Sequence, residues 1–214
     1  MEKSYQYLGY FFLLIIPITL AAFYKTYLAE IPHFSPKNNI FIHVHAAISV
    51  TWLALFIAQP FLIANKKFKL HRTLGRSSYV VFPLFILSFV PQVARLVREG
   101  RAVETFFPLA DCVVMVSLYV LAIINRNDSE KHMRYMIGVL LMFLAPTFGR
   151  IGPILLGMSG MATQITTYGI IYLTLASLVV YDKSNGSNIK PYLVAAPFFL
   201  AHQIVFLFLF HGAG

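Results

Sequence analysis

Of 214 residues, 58% are hydrophobic and only 12% charged, and the mean hydropathy is +0.72. Soluble domains are roughly half apolar and a quarter charged, so this chain is not built to fold in water alone. The formal charge of +9 lies in short stretches beside long apolar runs, where anionic lipid headgroups account for it and nucleic acid is excluded as a partner.

Seven apolar runs of membrane-spanning length follow one another: Tyr7 to Tyr24, Ile40 to Ala64, Tyr79 to Val97, Thr105 to Ile124, Tyr135 to Leu156, Ala162 to Tyr181 and Pro191 to Phe210. Each is about long enough for a helix to cross roughly 30 Å of hydrocarbon, and all are too long and too evenly apolar for barrel strands. The expected fold class is all-α, an integral membrane helical bundle of about seven transmembrane helices forming a single domain over residues 1–214. Lys3, Ala21 and Ala22 give the first run some features of a secretory signal. Its apolar stretch is longer than a signal core, and it reads as a retained helix. Assigned to alternate loops, eleven Lys and Arg fall on the side of the amino terminus and six on the other. This bias places the amino terminus in the cytoplasm and the carboxyl terminus outside, in a multi-pass protein of the bacterial cytoplasmic membrane with the lipid bilayer as its first partner.

Ionisable side chains inside spans are costly and face protein or water-filled interior. Counted inward at about 1.5 Å per residue, His45, Gln92, Asp111, Arg150, Tyr168 and His202 all fall roughly 8 to 12 Å below the outer boundary. One shared polar chamber accounts for all six, and within it Asp111 and Arg150 are the expected structural ion pair. His45 shares a helical face with Ser49, Trp52, Phe56 and Gln59, a stripe expected to look inward, while His43 points elsewhere. Pro146, Gly149, Gly152 and Pro153 predict a kinked or unwound stretch beside Arg150. On the cytoplasmic side His71-Arg72-Thr73-Leu74-Gly75-Arg76 opens the third span and His132-Met133-Arg134-Tyr135-Met136 the fifth. Each puts an imidazole at the membrane boundary with arginine beside it, as snorkelling side chains or as a pocket for a carboxylate- or phosphate-bearing cofactor.

From Ile40 to Arg150 these segments resemble a bacterial family of uncharacterised polytopic membrane proteins, marked by a His-Arg-x-x-Gly-Arg segment and a later His-x-x-Trp-Met segment. Tyr135 stands where that family has Trp. The chain is also similar, more loosely, to the di-haem transmembrane b-type cytochromes of the ascorbate and ferric reductase type, with His45, His71 and His132 matching three of four ligand positions and Asp111 in the fourth span where a histidine is expected. That likeness implies electron transfer. His71 and His132 would bind an inner haem b, with Arg72 and Arg134 on its propionates. His45 and His202 would hold a second haem, or the outer chamber would take a quinone or other redox partner.

A different chemistry is a hydrolase in which His45, Asp111 and His202 hold a divalent metal and leave a position open for water. A third resemblance, of Gly157-Met158-Ser159-Gly160 and Ala201-His202 to elements of rhomboid intramembrane proteases, has only one helix separating the two elements, whereas that family needs the histidine two helices on. A transporter or a non-catalytic assembly protein is the remaining class. No catalytic residue is assigned. The lone cysteine, Cys112, rules out a disulfide or a cysteine cluster within one chain.

Overall fold

The structure, a computed structural model, describes residues 5, 7–35 and 39–210. No strand occurs among the described residues, and every long segment is helical. A helix satisfies its own backbone, which is what hydrocarbon demands of a spanning segment.

Six helical stretches are long and apolar enough to cross a membrane: Ile40–Ala64, Phe68–Arg98, Ala102–Ile124, Ser129–Leu155, Gly160–Ser184 and Lys190–Phe210. The first apolar run is shorter, Leu8–Tyr24. It is split into α1 (Leu8–Leu13) and α2 (Ile15–Tyr24). The remaining helices are α3 (Ile40–Ala64), α4 (Phe68–Leu87), α5 (Val90–Arg98), α6 (Ala102–Ile124), α7 (Ser129–Leu141), α8 (Leu144–Leu155), α9 (Gly160–Ser184) and α10 (Lys190–Phe210). The helix expected from Tyr79 begins at Phe68, so the His71 segment lies inside α4, and the His132 segment likewise lies inside α7.

The three breaks have one cause. Proline lacks the N–H that the carbonyl four residues earlier would accept. Pro17, Pro91 and Pro146 leave Leu13, Leu87 and Met142 without that bond, and α1, α4 and α7 end at Leu13, Leu87 and Leu141. Each helix resumes with the proline in its first turn, where a missing N–H costs nothing. Hydroxyls take up part of the loss. Ser88 Oγ donates to the Phe85 carbonyl at 2.6 Å, and Thr147 Oγ1 to that of Phe143 at 2.9 Å. The kink expected beside Arg150 thus falls one to two turns earlier, and Arg150 sits in regular helix. Pro60, Pro83, Pro108, Pro153 and Pro197 remain inside continuous helices.

The chain divides into two compact units, Met1–Thr105 and Phe106–Gly214, although no linker composition marks the boundary. In the first, α3 and α4 form a hairpin and α1 packs on α3. The His45 stripe is its inner face: Trp52 and Phe56 are buried with Phe82 and Phe85 of α4, and the Trp52 ring lies 5.0 Å from that of Phe82. In the second unit α10 packs on α7 and α9, and α8 on α9. Apolar side chains such as Val50, Leu173 and Phe208 are exposed, as expected of faces that lipid covers.

Close approach of α8 and α9 depends on Gly152. A Cβ there would fall on Thr163 Oγ1 and within 2.7 Å of its Cγ2. Gly152→Ala is therefore expected to destabilise the second unit by about 1–3 kcal/mol, measured as denaturant unfolding in detergent, with partial recovery when Thr163→Ala is added. At the start of α7, Asp128 accepts from the Lys131 amide at 3.1 Å and pairs with its ammonium at 2.9 Å. These hydrogen bonds hold its carboxyl below the usual carboxylate range. A lowered folded value means the cap stabilises above the usual range and is lost as pH falls through the lowered one. Amide exchange at Lys131 is expected to accelerate at that acid edge, and in Asp128→Ala to be faster than wild type only above it.

Candidate functional site

Three helices of the second unit bring a polar seam together. From α6, Asp111 Oδ1 meets His202 Nε2 of α10 at 3.0 Å. From α9, Tyr168 lies on the imidazole face, its ring 5.1 Å away and inclined by 21°, while Phe106 meets the imidazole edge-on at 5.0 Å. Asp111, Tyr168 and His202 are all buried. One turn before Tyr168 on α9, Gln164 Nε2 donates to Oε1 of Gln203, the residue after His202 on α10, at 3.2 Å, also buried. His202 Nδ1, Tyr168 Oη and Thr163 Oγ1 are buried without a hydrogen-bond partner among the described residues. Native interiors seldom leave such atoms unmet.

Arg150 is not the partner of Asp111. The carboxylate is taken by His202, and Arg150 Nη1 donates to the Pro146 carbonyl of its own helix at 2.7 Å. Similar depth had suggested the pair, but depth fixes only one coordinate, and the azimuth of α8 turns this donor along its own backbone. Of the six residues placed at one depth, Asp111, Tyr168 and His202 come together, whereas His45 and Gln92 belong to the first unit.

His45 is engaged on both ring nitrogens, Nδ1 with Ser88 Oγ at 2.7 Å and Nε2 with Ser49 Oγ at 3.4 Å. The break before Pro91 puts Ser88 there. His43 turns away, as its spacing predicts, to Tyr27 Oη at 2.8 Å. Among the described residues, no group of three His, Cys, Asp or Glu side chains could hold a metal ion, and of the set His45, Asp111 and His202 only the last two belong to one unit. Ser159 of the Gly-Met-Ser-Gly stretch is exposed and caps α9, its Oγ accepting from the Ala162 amide at 3.2 Å.

Of the inner segments, His71 is half-buried in α4, and Arg72 is exposed with Nε 3.4 Å from the Phe68 carbonyl. In the second unit His132 Nδ1 lies 2.8 Å from the Ala122 carbonyl of α6. Only an N–H can serve that oxygen, so the neutral ring is the Nδ1–H tautomer and Nε2 keeps its lone pair. Arg134, expected at a pocket rim, is instead wholly buried, with Nε on Asp182 Oδ2 of α9 at 2.6 Å and Nη1 on the Glu130 carbonyl at 3.0 Å.

Hydropathy drops at Tyr181 and ends the sixth apolar run there, which leaves Asp182 outside the span expected from sequence. The helix continues to Ser184 and its last turn is buried at this residue. Spacing held the missing signal: Asp182 is fourteen residues after Tyr168, nearly four turns, so both lie close to one face of α9 about 21 Å apart. Between them that face carries the buried, apolar Ile171 and Leu175. Comparison with families of known proteins, with curated proteins and with solved structures finds no match.

Proposed function

We propose that this chain is a seven-span protein of the bacterial cytoplasmic membrane, amino terminus inside, that carries protons through the bilayer interior by way of Asp111 and His202. The observation that carries this reading is the buried Asp111–His202 pair under Tyr168. A net charge buried alone is expensive. With one shared proton the pair is neutral overall, as carboxylate and imidazolium or as acid and imidazole; without it, a negative charge is left in the span. Binding and release of that proton are therefore coupled to solvent access, which is how intramembrane Asp and His act in pumps and transporters. His202 Nδ1 and Tyr168 Oη supply further exchange positions beside it. The apolar layer of Ile171 and Leu175 separates this station from the inner end of α9, so passage requires helix movement and is carrier-like.

The test is potential-driven acidification of a pH dye trapped in proteoliposomes of the purified protein. The expected rate exceeds that of protein-free liposomes by about tenfold or more. Wild-type flux at the protein-free level overturns the proposal.

A second reading, transmembrane electron transfer through a haem b held by His71 and His132, draws support from the His132–Ala122 bond, because ligating histidines are oriented by such a bond on the other ring nitrogen. The resemblance of Ile40 to Arg150 to the uncharacterised polytopic family takes in both histidine segments and leaves the reaction open. Dithionite-reduced visible spectra of purified wild type, His71→Ala and His132→Ala decide it: a reduced-haem band lost in both variants supports it, and a featureless wild-type spectrum ends it.

A further inference from the structure

The α3–α4 turn carries a groove of about 430 Å³ lined by Lys66, Lys67, Phe68, Lys69, Leu70 and Thr73. All three lysines are exposed, as are Arg72 and Arg76 one and two turns into α4. No carboxylate answers them locally, since the chain contains no Asp or Glu between Glu30 and Glu99. Five cations within eleven residues repel one another, and an anion among them relieves that repulsion. Apolar surface adjoins the charge: Phe68 and Leu70 are 48% and 44% exposed, beside two helices of membrane-spanning character.

Lys66 itself is in an unusual place. The Lys66 amide donates to the Ile63 carbonyl at 2.9 Å and that of Lys67 to Leu62 at 2.8 Å, the paired bonds of a helix end whose first residue beyond the helix is left-handed. Lys66 occupies that position with φ 58°. Glycine or asparagine belongs there on backbone grounds, and a lysine brings only its side chain in return. Where local propensity is violated, a functional demand on the side chain is the first explanation to test.

We propose that this groove is a binding site for one anionic phospholipid, its phosphodiester held by Lys66, Lys67 and Lys69 and its acyl chains laid along Phe68 and Leu70. Charge complementarity favours a lipid over any other occupant, because the site joins a cation cluster to apolar surface at the end of two spans. A zwitterionic lipid brings its own cation and loses the advantage.

The experiment reconstitutes full-length protein in phosphatidylcholine vesicles and measures the motionally restricted fraction of spin-labelled phosphatidylglycerol against spin-labelled phosphatidylcholine. Wild type is expected to select phosphatidylglycerol, and Lys67→Gln/Lys69→Gln to lose most of that selectivity. Lys66→Gly, which removes the charge and suits the backbone, is expected to lower it while the protein folds and extracts normally. Lys183→Gln/Lys190→Gln removes two charges elsewhere in the sequence and is expected to leave it intact. Equal selectivity in wild type and the groove variants overturns the site, and an equal loss in the Lys183/Lys190 variant shows diffuse surface charge only and overturns it as well.

Discussion

Asp182→Ala is expected to cost the second unit about 3–5 kcal/mol, measured as denaturant unfolding of the detergent-solubilised protein, because it removes the carboxylate paired with the buried Arg134 guanidinium. Both side chains are fully enclosed, and Nε lies 2.6 Å from the carboxylate, so solvent does not replace it. The pair links α7 to α9, forty-eight residues apart in sequence. The double replacement Arg134→Met/Asp182→Leu removes both charges and fills similar volume, and is expected to recover most of the loss. If the double variant is as unstable as Asp182→Ala, the hydrogen bond of Arg134 to the Glu130 carbonyl, and not charge compensation, holds this end of α7.

Asp111→Asn is expected to reduce proton flux in proteoliposomes to the protein-free level, a loss of about tenfold or more, while leaving the fold intact. Asparagine keeps the shape of the side chain and can still hydrogen-bond His202, but it cannot take up the proton. His202→Gln is expected to match it, since a glutamine can face Asp111 without titrating. Neither variant exposes new surface, so monodisperse elution in detergent should be unchanged. The same variants separate the two functional readings: a haem band, if present, depends on His71 and His132 and should survive Asp111→Asn, whereas the flux should not.

These two sites were differently legible in advance. The apolar segments could be read from the chain because the bilayer imposes both a length and a composition, and helix periodicity places Trp52 and Phe56 on the His45 face before any neighbour is known. A kink is expected from sequence only in the stretch of Pro146 and Pro153, whereas nothing local separates Pro17 and Pro91, which interrupt their helices, from Pro60, Pro83, Pro108 and Pro197, which do not, and the packing around each decides the outcome. The polar layer shows the limit most clearly. Counting residues gives depth, and of the six residues it puts in one layer, Asp111, Tyr168 and His202 meet in the second unit. It could not give the rotation of each helix about its axis, and so Asp111 was matched to Arg150 and not to His202, ninety-one residues away.

Arg134 is the same case at the other end of the unit. As a residue beside an interfacial histidine it reads as a snorkelling or ligand-binding cation, yet it turns inward to Asp182 because α9 continues past its apolar run and delivers a carboxylate there. Local sequence determined which segments are helical, where they are too apolar for water and which faces they bury. Partner choice among the few buried charges was decided by tertiary packing, because a hydrogen bond between helices depends on azimuth and register at once, and neither is set by the segment that carries the donor.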